Sequence, residues 1–434
     1  MSEENTQEPA LSGNLLVAQS GGATSVVNAT LAGVIEEALN HEDEIVEIYG
    51  GRNGIQGILN EDFIALDSET QQTVRGLHQT PGAALGTCRF QLRPQDHERL
   101  LQVFAAHNIR FFIYIGGNDS QDTAAKIDEL AKERGYALRV IGVPKTIDND
   151  IAVTDHCPGY GSAVKHIAAT VREMALDNLS IAQHNFVSIL EVMGRNTGWL
   201  AAGATLAKRR NALLEDAPHL VLLPEVEFNQ QAFVEAVQNV LRKQKFCFVV
   251  VSEGVKDADG NYLGANATNI DEFGHPVLGG AGEHLLRLVE ENIAGVKVRA
   301  SKLGIAQRAA ARFASKTDVD EAVLVGRAAV KFAVAGETGK MVVLVRDDLA
   351  GGPSGYAVKT DLVPLDEVAK VVKPFPAAWI GSDDKFSVGF QFTKYATPLI
   401  QGENPVAYEG GLPKYAYLSG ARVERKLERY DTLR

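Results

Sequence analysis

The chain has 434 residues and a mass of 46.7 kDa, which is too long for one ordinary hydrophobic core and predicts two domains. Its formal net charge of −12 argues against a general binder of nucleic acid or of anionic membranes, and no apolar run approaches the ~18 residues of a membrane span. Three widely spaced cysteines give neither a disulfide framework nor a zinc pattern, and the acidic N-terminus lacks a secretory signal, so we expect a cytoplasmic protein.

Short apolar strands that end in polar or glycine-rich turns recur along the first third of the chain. In chain order the predicted strands cover residues 15–18, 44–49, 110–115 and 138–142. The first leads through Gly21 and Gly22 into a predicted helix over 26–39, and the third leads through the turn 116–120 into a predicted helix over 122–134. This rhythm predicts an open α/β sheet with ligands at the C-terminal ends of its strands. No Gly-x-Gly-x-x-Gly opens the first helix, which disfavours a dinucleotide-binding oxidoreductase.

The fourth strand runs into a stretch that concentrates reactive side chains. Lys145, Thr146, Asp148 and Asp150 lie within six residues. A lysine offers a compact charge for phosphate, while carboxylates suit hard cations or proton abstraction. Phosphoryl transfer needs this combination because its catalysis is mostly positioning and charge stabilisation. Taken alone, the stretch is equally compatible with a polar turn.

Beyond residue 160 a second set of strands and turns follows. A predicted helix over 163–176 precedes a strand over 186–192 that delivers the turn 193–199, and a strand over 246–251 delivers Ser252 and Glu253. The segment 299–308 adds positive charge, and a helix over 318–335 and a strand over 341–345 complete the predicted fold. These strand ends predict a second α/β unit that also carries polar groups.

The assembled motifs resemble those of the phosphofructokinase family, and more narrowly of its pyrophosphate-dependent members. The resemblance extends from about residue 15 to about residue 372. Its motifs are Gly21-Gly22 with Asn28, Gly86-Thr87-Cys88-Arg89-Phe90, Gly116-Gly117-Asn118-Asp119-Ser120, Pro144-Lys145-Thr146-Ile147-Asp148-Asn149-Asp150, Glu191-Val192-Met193-Gly194-Arg195, Ser252-Glu253-Gly254 and Leu303-Gly304-x-x-Gln307-Arg308. NAD kinases and lipid kinases share one or two of these motifs but not the ordered series.

The resemblance implies a role for each matching residue. Asp148 would accept the proton of the sugar 1-hydroxyl, supported by Thr146, Asp150, Arg195 and Lys145. The implied contacts to fructose 6-phosphate are Met193, Gly194, Arg195, Glu253, Arg299 and Arg308. The implied contacts to pyrophosphate are Gly21, Gly22, Arg89, Gly117, Asp119, Ser120 and Lys145. Asn118 and Asp150 would hold Mg²⁺, and one phosphate-binding arginine would come from a neighbouring subunit, which implies a homodimer or homotetramer.

Two positions separate the phosphoryl donors within the resembling family. ATP-using relatives have glycine at both, whereas this chain has Asp119 and Lys145. A lysine fills the volume that glycine leaves open for a nucleotide, and its ammonium suits the free end of pyrophosphate. The two residues therefore favour pyrophosphate over ATP.

Three positions depart from the family pattern. Asn118 stands where many relatives have a metal-binding aspartate, and its amide can offer Mg²⁺ one neutral oxygen. Ile305 replaces a histidine or tyrosine, and Phe186 replaces an arginine that would come from the neighbouring subunit. The last two changes leave room for sedoheptulose 7-phosphate as an alternative sugar.

The sequence thus predicts two open parallel-sheet α/β domains of the phosphofructokinase type, with the active site in the cleft between them. We expect a flexible tail over 1–13, a donor-binding domain over 14–160 plus about 308–372, a sugar-phosphate domain over 161–307, and a C-terminal extension over 373–434. The predicted reaction is reversible transfer of phosphoryl from pyrophosphate to fructose 6-phosphate, without nucleic-acid or membrane partners. The alternatives are an ATP-dependent 6-phosphofructokinase and a catalytically inactive sugar-phosphate-binding regulatory subunit.

Overall fold

The computed structural model of the chain describes residues 11–181, 183–209, 211, 213–264, 278–347, 355–382 and 385–430. The predicted tail lies mostly outside these residues, but its last member, Gly13, already begins the first strand and pairs with Ile45. Within the described ranges, no helix combines the length and apolarity needed to cross a membrane.

The strands and helices alternate along the chain, as the sequence pattern predicts. The strands are β1 Gly13–Gln19, β2 Ile45–Gly51, β3 Phe63–Ala65, β4 Ile109–Gly116, β5 Arg139–Pro144, β6 Phe186–Val192, β7 Leu220–Leu222, β8 Phe246–Ser252, β9 Lys297–Lys302, β10 Lys340–Asp347, β11 Ala357–Pro364, β12 Tyr408–Glu409 and β13 Leu412–Pro413. The helices are α1 Val27–Ala38, α2 Gly54–Leu59, α3 Gln71–Leu77, α4 His97–Ala106, α5 Asn118–Glu133, α6 Tyr160–Ile181, α7 Trp199–Gly203, α8 Gln230–Lys243, α9 Ala281–Asn292, α10 Ala306–Ala309, α11 Lys316–Val334, α12 Leu365–Val368 and α13 Phe390–Ala396.

The larger sheet in the described part of the chain has seven strands in the order β11-β10-β5-β4-β1-β2-β3. The strands from β10 to β2 are parallel, and the edge strands β11 and β3 pair antiparallel. Alternate residues of each central strand enter different cores: Leu15 and Val17 pack on one face, and Leu16 and Ala18 on the other. Two buried faces explain why these strands are continuously apolar in sequence.

The smaller sheet, again within the described residues, has four parallel strands in the order β7-β8-β6-β9. It is likewise covered on both faces, with Leu190 and Val250 in one core and Ile189 and Val249 in the other. The predicted fold class, two open α/β sheets of predominantly parallel strands, is therefore confirmed.

Helices α5, α6 and α11 begin before the residues that the sequence pattern predicts, and the shift is larger for α5 and α6 than for α11. The second predicted helix covers 122–134, but α5 begins at Asn118, directly after the extended residue Gly117. Its first turn is polar, because these side chains lie at the strand end rather than against the core, and apolar periodicity therefore starts only later. Helix α6 begins at Tyr160, whose side chain is buried in the core, and extends to Ile181, beyond the predicted 163–176.

The residues after β11 run back across the molecule. Tyr395 and Phe392 in α13 join the core between α6 and the small sheet. Further on, the main chain at Ala421 and Val423 hydrogen-bonds with β3 at the edge of the large sheet. The predicted C-terminal extension thus packs against strands and helices from both halves of the chain.

Candidate active site

The turn after β1 is held against two cations. The Lys145 Nζ donates a hydrogen bond of 2.6 Å to the Gly22 carbonyl, and a Cβ placed on Gly22 would lie 2.9 Å from Arg308 Nη1. Gly21 has φ +75°, and a Cβ there would lie 3.2 Å from the Lys145 ammonium. Glycines in this turn therefore allow two positive groups to approach the backbone, which makes a concave site for anionic oxygen.

Asn28 and Gln19 connect this turn to the loop that carries Arg89. The Asn28 Oδ1 accepts from the Ala84 backbone N–H at 2.8 Å, and the Gln19 Oε1 accepts from Leu85 N–H at 3.0 Å. The Gln19 amide in turn donates to Asn28 Oδ1. This buried network fixes the loop, and Arg89 four residues further on is exposed.

The turn after β4 contributes the first residues of α5. Ser120 is buried beneath Gly116, while Asp119 in the first helical turn is exposed. The Asn118 Nδ2 donates to Asp150 Oδ2 at 3.3 Å, and Gly117 approaches the Lys145 carbonyl. The ends of β4 and β5 therefore meet, as expected for adjacent parallel strands.

The turn after β5 carries the two carboxylates. The Asp148 N–H donates to Thr146 Oγ1 at 3.0 Å, and the Asp148 carbonyl accepts from the Thr197 hydroxyl at 3.3 Å. Burial, together with the nearby carboxylates of Asp150 and Glu253, raises the pKa of Asp148 to about 7, against the opposing charges of Lys145 and Arg308. A carboxylate with this pKa can accept a proton near neutral pH, which suits a general base.

The Lys145 ammonium and the carboxylates of Asp148 and Asp150 influence one another's pKa values. Burial lowers the pKa of Lys145 to about 8, although Asp148 and Asp150 favour its charged form. Burial also raises the pKa of Asp150, while a hydrogen bond from Thr146 and the Lys373 ammonium oppose that rise. The site therefore brings one ammonium and two carboxylates together at the end of β5.

The smaller sheet supplies the opposite wall. Gly194 has φ +131°, and a Cβ there would lie 2.7 Å from the Thr197 carbonyl and 2.9 Å from Ser252 Oγ, so only glycine fits this turn. The Ser252 hydroxyl donates to the Gly194 carbonyl at 2.6 Å. The Met193 N–H donates to Gln307 Oε1 at 3.1 Å, which ties the turn to α10 and places Arg308 beside it.

Glu253 and Arg195 face the same cleft. The Glu253 N–H donates to the Val192 carbonyl at 2.9 Å, so the side chain leaves the end of β8 beside the 193–199 turn. Burial raises the pKa of Glu253, and the charge of Arg195 partly offsets this. Because Glu253 in turn influences Asp148, the two sheets contribute to one electrostatic environment.

Among the predicted site residues, Arg299 lies away from this cluster. It lies in β9 opposite Ser188, and its guanidinium carbon is 5.6 Å from the centre of the Phe186 ring. Phe186 begins β6, whereas the cleft lies at the other end of that strand. Ile305, another departure from the family pattern, is exposed just before α10.

Sequence reasoning missed several residues that shape the catalytic turn. Lys373 and Tyr395, both in the C-terminal extension, contact Asn149, and Thr197 contacts Asp148. Gln307 belonged to a quoted motif but had no predicted role, and it anchors Met193. No local pattern marks Lys373 or Tyr395, because each is more than 200 residues from its partner.

The oxygen atoms around Asp150 fit a hard divalent cation. Asn118 Oδ1 is buried and accepts no hydrogen bond in the described part of the chain. The described residues contain no cluster of three or more His, Cys, Asp or Glu side chains that could hold a metal, so protein ligands there would be few. Mg²⁺ characteristically uses one or two carboxylates and completes its coordination with water and substrate phosphate.

Comparison with known proteins agrees with this geometry. The sequence model of the family described as Phosphofructokinase matches residues 14–333. The chain belongs to the phosphofructokinase family. The resemblance seen in the motifs is thereby confirmed.

Similar phosphofructokinases have pyrophosphate in their names. The chain is 44% identical over 426 residues to the pyrophosphate–fructose 6-phosphate 1-phosphotransferase of Xanthomonas campestris, covering 96% of this chain and 99% of that protein. It is 42% identical to the enzyme of the same name from Halomonas elongata, again covering 96% and 99%. The crystal structure of a pyrophosphate-dependent phosphofructokinase from Nitrosospira multiformis superposes with a TM-score of 0.88 at 39% identity, covering 96% of this chain and 99% of that one.

Proposed function

We propose that this phosphofructokinase transfers phosphoryl reversibly from pyrophosphate to the 1-hydroxyl of fructose 6-phosphate, giving fructose 1,6-bisphosphate and phosphate. The observation that carries the choice of donor is the placement of Lys145. Its buried ammonium lies 2.6 Å from the Gly22 carbonyl, so its side chain fills the space between the turns after β1 and β5. The names of the Xanthomonas and Halomonas relatives support the same reaction.

In this proposal Asp148 acts as the general base. It takes the proton from the sugar 1-hydroxyl as that oxygen forms its bond to phosphorus and the bridging P–O bond of pyrophosphate breaks. The displaced phosphate is the leaving group. Asp148 remains partly ionised at neutral pH because its pKa is about 7, and Thr146 holds its backbone in place.

The surrounding cations stabilise the transferring group. Lys145, with Arg89 and the N–H groups around Gly21, Gly22, Gly117 and Ser120, binds pyrophosphate, and Arg195 neutralises charge on the moving phosphoryl. Asp119, exposed at the beginning of α5, restricts the space on the donor side. Met193, Gly194, Glu253 and Arg308 form the sugar-phosphate side.

Phosphofructokinases generally use a divalent metal ion. We propose Mg²⁺, held by Asp150 and the buried Asn118 Oδ1 together with water and phosphate oxygens. When bound, the ion neutralises phosphate charge, which the protein's own cations offset only in part. Asp150 orients Asn118 toward that position by accepting its amide hydrogen bond.

Arg299 is assigned to the site of a neighbouring subunit. Arg299 lies in β9 against Phe186, the first residue of β6, and the cleft is at the opposite end of β6. Arg299 therefore does not face the cleft of its own chain, which supports this assignment. The protein would then be a homodimer or homotetramer in the cytoplasm. We further propose that residues 14–160 with about 308–372 bind the donor and residues 161–307 bind the sugar phosphate.

A donor comparison tests the proposal. Purified protein receives fructose 6-phosphate and Mg²⁺ with either pyrophosphate or ATP, and fructose 1,6-bisphosphate formation is followed. We expect turnover with pyrophosphate and little with ATP. Turnover with ATP alone would favour an ATP-dependent enzyme, and binding of fructose 6-phosphate without turnover would favour a regulatory subunit. Sedoheptulose 7-phosphate serves as the alternative sugar, because Ile305 and Phe186 differ from the family pattern.

A further inference from the structure

The catalytic turn depends on a residue with an unusual backbone. Asn149 lies between Asp148 and Asp150, has φ +54°, and is fully buried. Asparagine tolerates this left-handed conformation better than most residues, but a buried side chain there needs partners for its amide. Because Asn149 lies between Asp148 and Asp150, its backbone conformation affects the orientation of both carboxylates.

Two of those partners come from the C-terminal extension. The Asn149 Nδ2 donates to the Tyr395 hydroxyl at 2.8 Å, and its Oδ1 accepts from Lys373 Nζ at 3.4 Å and from Cys157 N–H at 3.1 Å. The Tyr395 hydroxyl donates onward to the Asp155 carbonyl at 2.7 Å. Most polar contacts of the Asn149 side chain therefore reach residues more than 200 positions away.

Lys373 also contacts the turn through its backbone and its ammonium. Its N–H donates to the Asp150 carbonyl at 2.7 Å, and the preceding residue, Val372, pairs with Ile151 as an isolated antiparallel bridge. The Lys373 ammonium donates to the carbonyls of Thr154 and Asp155, each at 3.1 Å. Lys373 thus contacts both the Asn149 side chain and the main chain that follows Asn149, at Asp150, Thr154 and Asp155.

The other side of Lys373 is fixed to the sugar-side wall. The Trp199 indole N–H donates to the Lys373 carbonyl at 3.2 Å, and the Lys373 ammonium lies 5.3 Å from the centre of the Trp199 ring. Two residues further on, the Phe375 N–H donates to Glu225 Oε1, which also accepts from Gly198 N–H. The segment around Lys373 therefore links the turn 146–150 directly to the turn 193–199.

We propose that Lys373 is a positioning residue for phosphoryl transfer, holding Asn149 and the adjacent carboxylates in register with the sugar-side turn. This role rests on the proposed function. It is not assigned by the family match, which covers residues 14–333 and ends before Lys373. As a positioning residue Lys373 does not bind either substrate, so its loss affects the chemical step more than substrate binding.

The test uses the full-length chain with Lys373→Met, which keeps the length of the side chain but removes its donors. We expect kcat to fall about 10- to 100-fold while KM for both substrates stays within about threefold. Lys373→Arg, which restores hydrogen-bond donors, should recover at least about a third of the wild-type kcat. The matched control is Lys394→Met, which removes an exposed ammonium from the same C-terminal extension and should leave kcat unchanged.

A double-mutant cycle distinguishes positioning from general destabilisation. If Lys373 acts through Asn149, then Lys373→Met combined with Asn149→Ala should lose no more kcat than the larger of the single losses. Independent, multiplicative losses would overturn the proposal, as would a Lys373→Met enzyme with kcat within about twofold of wild type. Should Lys373→Met fail to fold, Lys373→Gln takes its place, since its shorter side chain cannot reach all three oxygens that Lys373 Nζ contacts. It should lower kcat about threefold or more at unchanged KM, and wild-type kcat would refute the positioning role.

The wild-type protein is assayed first, so that failure of the proposed reaction can be told apart from failure of the positioning role of Lys373. Absence of turnover with pyrophosphate overturns the proposed function, and the same comparison is then made with ATP. If neither donor supports turnover, hydrogen exchange at the Asp148 and Cys157 amides gives the readout. Both amides have bonds within this turn, and we expect faster exchange in Lys373→Met. Unchanged exchange would overturn the positioning role without reference to activity.

Discussion

Replacing Lys145 by methionine separates the two ways in which this residue could select the donor. Methionine keeps most of the volume that excludes ATP but removes the ammonium. Lys145 is only 3% exposed, so its interaction with phosphate would be well shielded from water. A hydrogen bond to a charged group contributes about 1.5–3 kcal/mol, which corresponds to about a 10- to 150-fold loss in kcat/KM for pyrophosphate. No ATP activity should appear.

Replacement by glycine should behave differently, because it removes volume as well as charge. Lys145→Gly should weaken pyrophosphate use at least as strongly as Lys145→Met. Asp119→Gly should cost less, since Asp119 is exposed in the first turn of α5. The double variant with glycine at both positions should gain some ATP activity, because the nucleotide then meets neither side chain.

Steady-state kinetics with each donor, at saturating fructose 6-phosphate and Mg²⁺, measure these effects. The reasoning is refuted if Lys145→Met retains wild-type kcat/KM with pyrophosphate, or if it uses ATP as well as Lys145→Gly does. A wild-type protein that prefers ATP would remove the basis of the donor assignment altogether.

Three further outcomes are expected. Asp148→Ala should lower kcat by about 10²–10⁴-fold with sugar-phosphate binding retained in a titration, and a variant with more than about half the wild-type kcat would exclude Asp148 as the base. Exhaustive chelation should abolish activity until Mg²⁺ is returned; full activity without it would contradict the Asn118 and Asp150 assignment. Burial lowers the pKa of His219 to about 4, and its neutral Nδ1 accepts from Phe248 N–H. The pKa of an unfolded histidine is about 6.5, so the free energy of unfolding that His219 contributes falls as the pH drops, by about 2 kcal/mol at pH 5. Thermal unfolding of His219→Asn should therefore depend less on pH than that of the wild type.

Local sequence patterns predicted the strands well because each central strand is buried on both faces. The 186–192 strand has the predicted bounds, and the ends of β1, β4 and β5 carry the glycine and polar turns where they were expected. Helix beginnings were less predictable. α5 begins at Asn118 with a polar turn directed at the site, so its first residues lack the apolar periodicity that marks a helix in sequence.

The sequence by itself determined which short turns carry reactive groups, since motif composition and strand ends are local properties of the chain. Only the tertiary structure decided how those turns meet. In the folded chain Arg308 lies beside Gly22, and Arg299 packs against the Phe186 ring. Lys373 contacts Asn149, which is 224 residues away in sequence. The pKa of Asp148 near 7 also depends on burial and on charges from both sheets. Such contacts arise from the packing of distant segments, and no spacing within the sequence encodes them.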